Sequence, residues 1–144
     1  MDTPATRLNE KGATLAPSDF AVLADFRYQL RRFALNSETE AQAHGLAPQQ
    51  HQALVVIKAQ PTAPTVTELS ERLCIKSHSA AELVNRLVQM GMLERRADPN
   101  DGRRALLYLT PNAERTLEAL SAAHLSQLQN IRPLLMGMLE KFDR

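Results

Sequence analysis

The most distinctive side chains in this sequence are two arginine pairs, whose permanent positive charges suit an anionic partner. Arg95-Arg96 and Arg103-Arg104 flank residues 98–102, DPNDG, where almost every residue type favours a turn. Residues 93–97 and 105–109 are short enough to be strands, and the second of these segments is apolar. The pattern predicts a β-hairpin with a charged tip. Alternatively, the arginines only keep an exposed edge strand soluble.

The small net charge of the whole chain, +1, conceals a local basic region. Residues 72–104 contain seven Lys and Arg against four Asp and Glu, a charge of +3, whereas the remainder has ten against twelve, or −2. The positive charge therefore lies around the predicted hairpin. A basic patch on a nearly neutral protein suits a polyanion better than a membrane surface.

The other reactive side chains form no recognisable catalytic or metal-binding motif. His44, His51 and His124 lack the HExxH spacing of a metal site, and no glycine-rich phosphate loop or Ser/His/Asp motif occurs. His124 falls on an apolar stripe, so we expect a hydrogen-bonded interface histidine rather than a ligand. Cys74 lies between two apolar residues, so we expect it to be buried. The sequence thus predicts a protein that is not an enzyme and has neither cofactor nor metal.

The composition is that of a single helical domain from a reducing compartment. The 144 residues are 44% apolar and 23% charged, glycine is scarce, and good helix formers are plentiful. One cysteine excludes an intramolecular disulfide, which predicts a cytoplasmic protein. No apolar run approaches the roughly 20 residues that span a bilayer, so no membrane association is expected. Residues 1–17 have no apolar core of a signal peptide and are predicted to be a flexible polar tail.

Helical spacing of apolar residues predicts the first two helices. Ser18 is expected to cap a helix that runs to about residue 44. Its apolar residues recur at helical spacing, namely Leu23, Phe26, Leu30 and Phe33. A second helix is predicted over residues 48–60, with Pro48 at its first position and Ala47, which cannot cap, before it.

A helix-turn-helix pattern follows. A short third helix is predicted over residues 68–73, with either Thr65 or Thr67 as its cap. Residues 74–76 form a break, and a fourth helix is predicted over 77–90 before Gly91. Two short helices followed by a basic hairpin match a winged helix-turn-helix, in which the second helix enters the major groove of DNA.

The fourth helix divides into two faces at 100° per residue. One face, expected to pack on the domain, contains Ala80, Leu83, Val84, Leu87 and Gly91. The other is polar and rich in groups that hydrogen-bond bases or phosphates: His78, Ser79, Glu82, Asn85, Arg86 and Gln89. An ordinary amphipathic surface helix is the alternative.

Residues 65–117, TVTELSERLCIKSHSAAELVNRLVQMGMLERRADPNDGRRALLYLTPNAERTL, resemble the winged-helix core of the MarR (multiple antibiotic resistance regulator) family of bacterial transcription factors. The most specific part is the order helix, turn, helix, Gly91, LER, DPxDxR and LT. The resemblance implies a mainly α fold with a small β-hairpin wing. It also implies a winged helix-turn-helix DNA-binding lobe over 61–109 and a helical dimerisation region over 18–60 and 110–144, in one compact domain.

The resemblance also implies DNA contacts. The residues expected to read bases from the fourth helix are Ser77, His78, Ser79 and Glu82. Lys76 and Arg86 are expected to touch phosphates, or Arg86 to brace the wing through Asp98 or Asp101. In the wing, Arg103 would enter a narrow minor groove, oriented by Asp101, while the backbone would be held by Arg95, Arg96 and Arg104.

The C-terminal residues fit a dimer in this family. Thr110 is expected to cap a fifth helix that begins at Pro111, although many relatives have Gly at the position of Ala113. An apolar stripe contains Leu117, Leu120, Leu128 and Ile131, with Leu125 beside it, and the segment IRPLLMGMLEKF is too apolar for one exposed helix. A two-fold dimer implies a pseudo-palindromic double-stranded DNA site.

Relatives often bind a small aromatic or phenolic effector between the dimer helices and the DNA-binding lobe. The candidate walls in this chain are Phe26, Leu30, Phe33 and Leu54, for each of which plain core packing is the alternative. The predicted function is a homodimeric repressor released by an effector. The alternatives are a redox- or metal-responsive regulator of the same fold, or a winged-helix module that binds another protein.

Overall fold

A computed structural model of the protein describes residues 15–141, within which there are five α-helices and one two-stranded antiparallel sheet. In chain order the elements are α1 (Pro17–Ala43), α2 (Pro48–Ala59), α3 (Val66–Leu73), α4 (Ser77–Gln89), β1 (Leu93–Ala97), β2 (Ala105–Leu109) and α5 (Pro111–Glu140). This confirms the mainly α fold with a small hairpin. Most of the predicted tail lies outside the described residues, and residue 17 already belongs to α1.

Helix α1 begins before Ser18, so the prediction that Ser18 caps it is wrong. Ala16 is the N-cap and has no side-chain oxygen to accept a hydrogen bond. Asp19 compensates, because its carboxylate accepts a 2.8 Å hydrogen bond from the Ala16 N–H and places a negative charge in the first turn. Pro17 takes the first helical position, where its missing N–H is not needed.

The starts of α2 and α3 are also fixed by local hydrogen bonds. The side-chain oxygen of Gln50 accepts a 2.9 Å bond from the Ala47 N–H, which holds the uncapped end of α2. Helix α3 begins two residues earlier than predicted, and its cap is Thr65, whose hydroxyl accepts a 3.2 Å bond from the Glu68 N–H. Of the two candidate caps, Thr65 is therefore correct, and Thr67 lies inside the helix.

The turn between α3 and α4 depends on Cys74, which adopts the left-handed conformation with φ 55°. Its N–H donates to the Glu71 carbonyl at 3.2 Å, and the Ile75 N–H donates to the Ser70 carbonyl at 3.1 Å, as in a helix C-cap. The side chain of Cys74 is exposed, so the prediction that it is buried is wrong. Leu73 and Ile75, on either side, pack against the core instead.

The two strands have their predicted bounds and pair with Leu93 opposite Leu109. The N–H of Leu107, in the middle of β2, donates a 2.8 Å hydrogen bond to the carbonyl of Pro64. This bond attaches the hairpin to the segment that precedes α3. Leu107 is itself fully buried, so the hairpin is fixed to the domain by both its main chain and a side chain.

The hydrophobic core lies where α2, α3, α4, the hairpin and the first turns of α5 meet. Its largest fully buried leucines are Leu46, Leu54, Leu69, Leu87, Leu107 and Leu120. Burial of a leucine side chain contributes about 1.5–3 kcal/mol relative to exposure. These leucines therefore form a firm support for the helix-turn-helix and the hairpin.

The long helices α1 and α5, of 27 and 30 residues, pack against each other beside this core. In α1 the buried residues that the structure describes are Val22 and Ala41. Large apolar side chains remain exposed on both helices, among them Phe20, Leu23, Leu30, Leu125, Leu128, Leu134 and Leu139. Within residues 15–141, no helix is both long enough and apolar enough to cross a membrane.

Candidate functional site

Helix α4 presents a polar face away from the core. Its inward residues are almost completely buried, namely Ala80, Leu83, Val84 and Leu87. On the opposite side Ser79 is half-buried, and the exposed residues are His78, Glu82, Asn85, Arg86 and Gln89. The predicted division of the helix is confirmed except at Gly91, which lies exposed in the turn after α4 with φ 72°.

The first turn of α4 has no side-chain cap. Lys76 occupies the N-cap position with extended backbone and has no side-chain acceptor for the free N–H groups of the first turn. Lys76, Ser77 and His78 are all exposed. The positive end of the helix dipole and the ammonium group of Lys76 therefore face solvent together, an arrangement that attracts anions.

The loop between β1 and β2 is a compact turn held by two aspartates. The carboxylate of Asp98 accepts a 2.9 Å bond from the Asn100 N–H, and that of Asp101 accepts a 3.1 Å bond from the Arg103 N–H. The N–H of Asp98 donates to the carbonyl of Arg104 at 2.9 Å, which closes the base of the turn. Asp101 thus positions the main chain of Arg103 rather than its guanidinium.

Two of the wing arginines make contacts within the domain that limit their freedom. Arg96 lies over the ring of Tyr108, with 4.2 Å between Cζ and the ring centroid, and also pairs with Glu94 at 3.2 Å. Arg104 pairs with Glu68 of α3 at 3.4 Å. Both charged pairs are exposed to solvent, so each contributes little to stability. Their effect is to position the side chains.

Arg95 connects the hairpin to α4. Its guanidinium donates a hydrogen bond to the side-chain oxygen of Asn85, on the outward face of the helix. Arg86 forms no salt bridge with Asp98 or Asp101 among residues 15–141, so the expectation that it braces the wing through one of these acids is wrong. The brace is made by Arg95 and Asn85 instead.

Arg103 differs from the other wing arginines. It is exposed at the tip of the hairpin, and its guanidinium makes no hydrogen bond or salt bridge to any residue in the range 15–141. A guanidinium that the domain does not use has all of its donors available for an external acceptor. The tip is therefore equipped to bind an anion.

A separate concave feature lies between α1, α2, α3 and α5. It is a cavity of about 480 Å³ whose lining includes Phe33, His51 and His124. Of the four predicted pocket walls, Phe33 contributes to this lining. Leu54 is fully buried in the core, and Phe26 and Leu30 lie elsewhere on α1.

Two histidines meet in this cavity, one from α2 and one from α5. The ring centroids of His51 and His124 are 4.9 Å apart, and the ring of Phe33 lies edge-on to His124 at 6.3 Å. The Nε2 atoms of both histidines are buried and have no hydrogen-bond partner among the described residues. The expectation that His124 is hydrogen-bonded is therefore wrong for this atom. Sequence spacing gave no sign of the pair, because only the packing of α5 on the domain brings it together.

The cavity favours the neutral form of its more buried histidine. Burial lowers the pKa of His51 below its ordinary value, and the adjacent ring of His124 lowers it further. His44 lies apart from the pair, with its Nδ1 3.0 Å from the carbonyl oxygen of Glu40. No group of three or more His, Cys, Asp or Glu residues in the range 15–141 is arranged to hold a metal ion.

Part of the chain is similar to one known family. Residues 44–104, which contain α2, α3, α4 and the hairpin loop, match the family model described as MarR family. The chain has no significant match among curated protein sequences.

Solved structures with the same fold include proteins from three bacteria. A mutant of MepR from S. aureus, bound to an oligodeoxyribonucleotide, has a TM-score of 0.70 and 18% identity over 82% of this chain and 95% of that one. AbsC, a MarR family transcriptional regulator from Streptomyces coelicolor, has a TM-score of 0.67 and 14% identity over 82% and 80%. A probable transcriptional regulator from Pseudomonas aeruginosa has a TM-score of 0.60 and 29% identity over 81% and 92%.

Proposed function

Because this chain belongs to the MarR family of winged helix-turn-helix proteins, we propose that it is a sequence-specific, double-stranded DNA-binding transcriptional regulator of the cytoplasm. In this proposal α4 enters the major groove, and the hairpin reaches the adjacent minor groove. The observation that carries the proposal is the hydrogen bond between Arg95 and Asn85. This bond holds the hairpin that carries Arg103 against the polar face of α4, so that one surface presents both elements.

The proposed contacts follow from exposure and chemistry. The side chains at the start of α4 that reach base edges are Ser77, His78, Ser79 and Glu82. Phosphates are contacted by Lys76 at the uncapped helix end and by Arg86. Arg103 enters the minor groove. The other wing arginines, which contacts within the domain already hold in place, contact the DNA backbone: Arg95, Arg96 and Arg104.

We further propose that the protein acts as a homodimer formed by α1 and α5. Leu134 and Leu139 near the end of α5 are 49% and 58% exposed, and Phe20 on α1 is 57% exposed. Exposed apolar patches on a protein surface commonly mark an interface. Two-fold pairing through these helices would place the two α4 helices about one turn of duplex apart, which requires a pseudo-palindromic site.

The regulatory part of the proposal is a repressor released by a small-molecule effector. The cavity of about 480 Å³ is lined by residues of α1 and α5 and by residues of α2 and α3. A ligand in this position would bind between the proposed dimer helices and the DNA-binding lobe. The ligand would bind more tightly to a dimer arrangement in which the two α4 helices no longer match the DNA half-sites. Ligand binding would therefore lower the affinity for DNA.

The experiment that tests DNA recognition is a fluorescence-anisotropy titration on a duplex selected from a random library, with a scrambled duplex as reference. We expect wild-type binding to be site-selective and to fall steeply with salt, since phosphate contacts release counterions. Arg103→Ala should lose about 1–3 kcal/mol of binding free energy on the selected site.

The matched control is Arg115→Ala, which removes one positive charge from an exposed position on α5 that is not among the proposed DNA contacts. Its affinity should stay close to that of the wild type. Equal losses in both variants would mean that net charge rather than the hairpin tip controls binding. Failure of the wild type to bind any duplex at low salt would refute the proposal that the protein is a DNA-binding regulator.

A further inference from the structure

We propose that the contact between His51 of α2 and His124 of α5 is a proton-dependent switch between the DNA-binding lobe and the proposed dimer helices. When both imidazoles are neutral, α5 stays packed on α2. When a proton from solvent adds to the imidazole of His51, α5 moves away from α2 and the affinity for DNA falls. The effect on DNA rests on the proposed function, whereas the movement of α5 is a property of the chain itself.

The first support is the position of the histidine pair along α5. The first turns of this helix are anchored in the core by the buried Ala113, Leu117 and Leu120. Further along, residues 127–134 face α1, with which they line a surface cavity of about 260 Å³. His124 follows Leu120 by one turn and lies before this second region. The pair therefore lies at the boundary between the part of α5 that the lobe holds and the part assigned to the dimer.

The second support is that polar side chains of α2 and α5 meet at two separate points. At the start of α5, Lys58 and Glu114 form a salt bridge of 2.6 Å. About two turns away along α2, the ring centroids of His51 and His124 are 4.9 Å apart. The first point contains no histidine and lies beside the anchored turns of α5. Loss of the second contact would therefore allow α5 to pivot about its anchored start.

The third support is that the surroundings of the pair oppose a positive charge. His51 is 6% exposed, and the Nε2 atoms of both rings are buried without a hydrogen-bond partner in the range 15–141. The charged residues that line the same space are Glu38 from α1 and Arg72 from α3, and neither forms a hydrogen bond or salt bridge with an imidazole in this range. Because their charges are opposite, together they give an imidazolium little net compensation.

The direction of the switch follows from this environment. In the packed arrangement, burial lowers the pKa of His51, and the adjacent His124 lowers it further. Movement of α5 away from α2 would expose the ring to water, where a histidine has its ordinary pKa of about 6.5. The ratio of open to packed protein should therefore rise as the pH falls below about 6.5, by at most about tenfold per pH unit for one proton. The span between the two α4 helices of a dimer would change with it.

The movement is tested with a spin label on Cys74, the single cysteine of the chain, which is exposed in the turn before α4. Pulsed dipolar electron paramagnetic resonance on the full chain without DNA measures the distance between the two labels of a dimer. We expect the distance distribution at pH 5.5 to differ from that at pH 7.5. His51→Phe keeps a ring beside His124 but cannot take up a proton, so its distribution should be the same at both pH values.

The effect on DNA is tested by anisotropy titrations of the same proteins on the selected duplex. From pH 7.5 to pH 5.5, wild-type affinity should fall about three- to tenfold relative to that of His51→Phe. Titration of groups that face DNA is common to both proteins and cancels in this comparison. His44→Gln, which changes an exposed histidine outside the pair, should behave like the wild type in both experiments. Circular dichroism checks folding at both pH values, and His51→Leu replaces the phenylalanine variant if that variant does not fold.

Equal label distances at both pH values, no dipolar signal between two labels, or the same shift in His51→Phe would overturn the inference. So would a change in distance that leaves the pH dependence of DNA affinity equal in the wild type and His51→Phe. A distance that depends on pH through His51, in a protein that binds no duplex, would overturn the proposed function but keep the movement of α5. Site-selective DNA binding with distances that do not depend on pH would do the reverse.

Discussion

The hydroxyl of Thr110 donates a 2.6 Å hydrogen bond to the carbonyl of Gly91. The same hydroxyl accepts a 3.2 Å bond from the N–H of Ala113 as the N-cap of α5. One side chain thus connects the start of the longest helix to the turn that ends α4. It links the helix that we assign to the dimer with the helix that we assign to DNA.

Loss of this hydroxyl should destabilise the protein. Thr110→Val keeps the shape of the side chain but removes both hydrogen bonds, so we expect the free energy of unfolding to fall by about 1–2 kcal/mol. Urea unfolding followed by circular dichroism, at one fixed protein concentration, measures the change. Thr110→Ser retains the hydroxyl and should stay within about 0.5 kcal/mol of the wild type. Equal stability of the valine variant and the wild type would show that the two bonds are not important.

Introduction of a charge at Leu134 should separate the proposed dimer. Leu134 is 49% exposed in the single chain. In the proposed two-fold interface, a glutamate at this position would be buried and would face the same glutamate of the second protomer. We expect Leu134→Glu to be a folded monomer by size-exclusion chromatography with light scattering, and to bind DNA weakly. Leu134→Met preserves an apolar contact and should remain dimeric. A dimeric glutamate variant would place the interface elsewhere.

The stability of the protein should depend on pH through His51. Its pKa is lowered by burial and then by His124, so below about pH 6.5 the unfolded chain binds more protons than the folded protein. The free energy of unfolding should therefore fall as the pH decreases below that value and level off above it. His51→Leu should flatten this slope in urea titrations between pH 5.5 and pH 7.5. The exposed control, His78→Gln, should keep the slope of the wild type, and a steeper slope in the leucine variant would contradict the assignment.

Lys76 should contribute affinity without sequence preference. It lies exposed at the uncapped start of α4, where a phosphate contact is proposed. Lys76→Gln should weaken binding to selected and scrambled duplexes by similar factors and reduce the slope of log affinity against log salt by about 1. Arg103→Ala should instead lose more affinity on the selected duplex. A loss by the lysine variant that is confined to the selected duplex would make Lys76 a base-reading residue.

Local patterns were sufficient to predict the helix-turn-helix and the hairpin. The polar segment at 98–102 predicted the turn, and the strands on either side have the predicted bounds. The periodicity of α4 identified the residues that the core buries, because a helix with one apolar stripe can pack in only one orientation. The cap at Thr110 was also predicted correctly, since a hydroxyl before a proline is a local signal.

Contacts between distant elements were not predictable in this way. Cys74 has apolar neighbours, but its left-handed backbone at the end of α3 leaves its side chain exposed. The partner of Asn85 proved to be Arg95, because strand direction and helix phase together decide which side chains meet. His51 and His124 are adjacent only because α5 returns to α2.

Three bonds connect the reading elements to one another: the Leu107 N–H to the Pro64 carbonyl, Arg104 to Glu68, and Arg95 to Asn85. They join α3, α4 and the hairpin at separate points, which leaves these elements little freedom to shift relative to each other. A displacement of this lobe would therefore rotate the helix and the wing by the same angle. Each lobe would therefore contact its DNA half-site with a fixed geometry. Only the distance between the two lobes of a dimer, and so the spacing of the half-sites that it matches, could change.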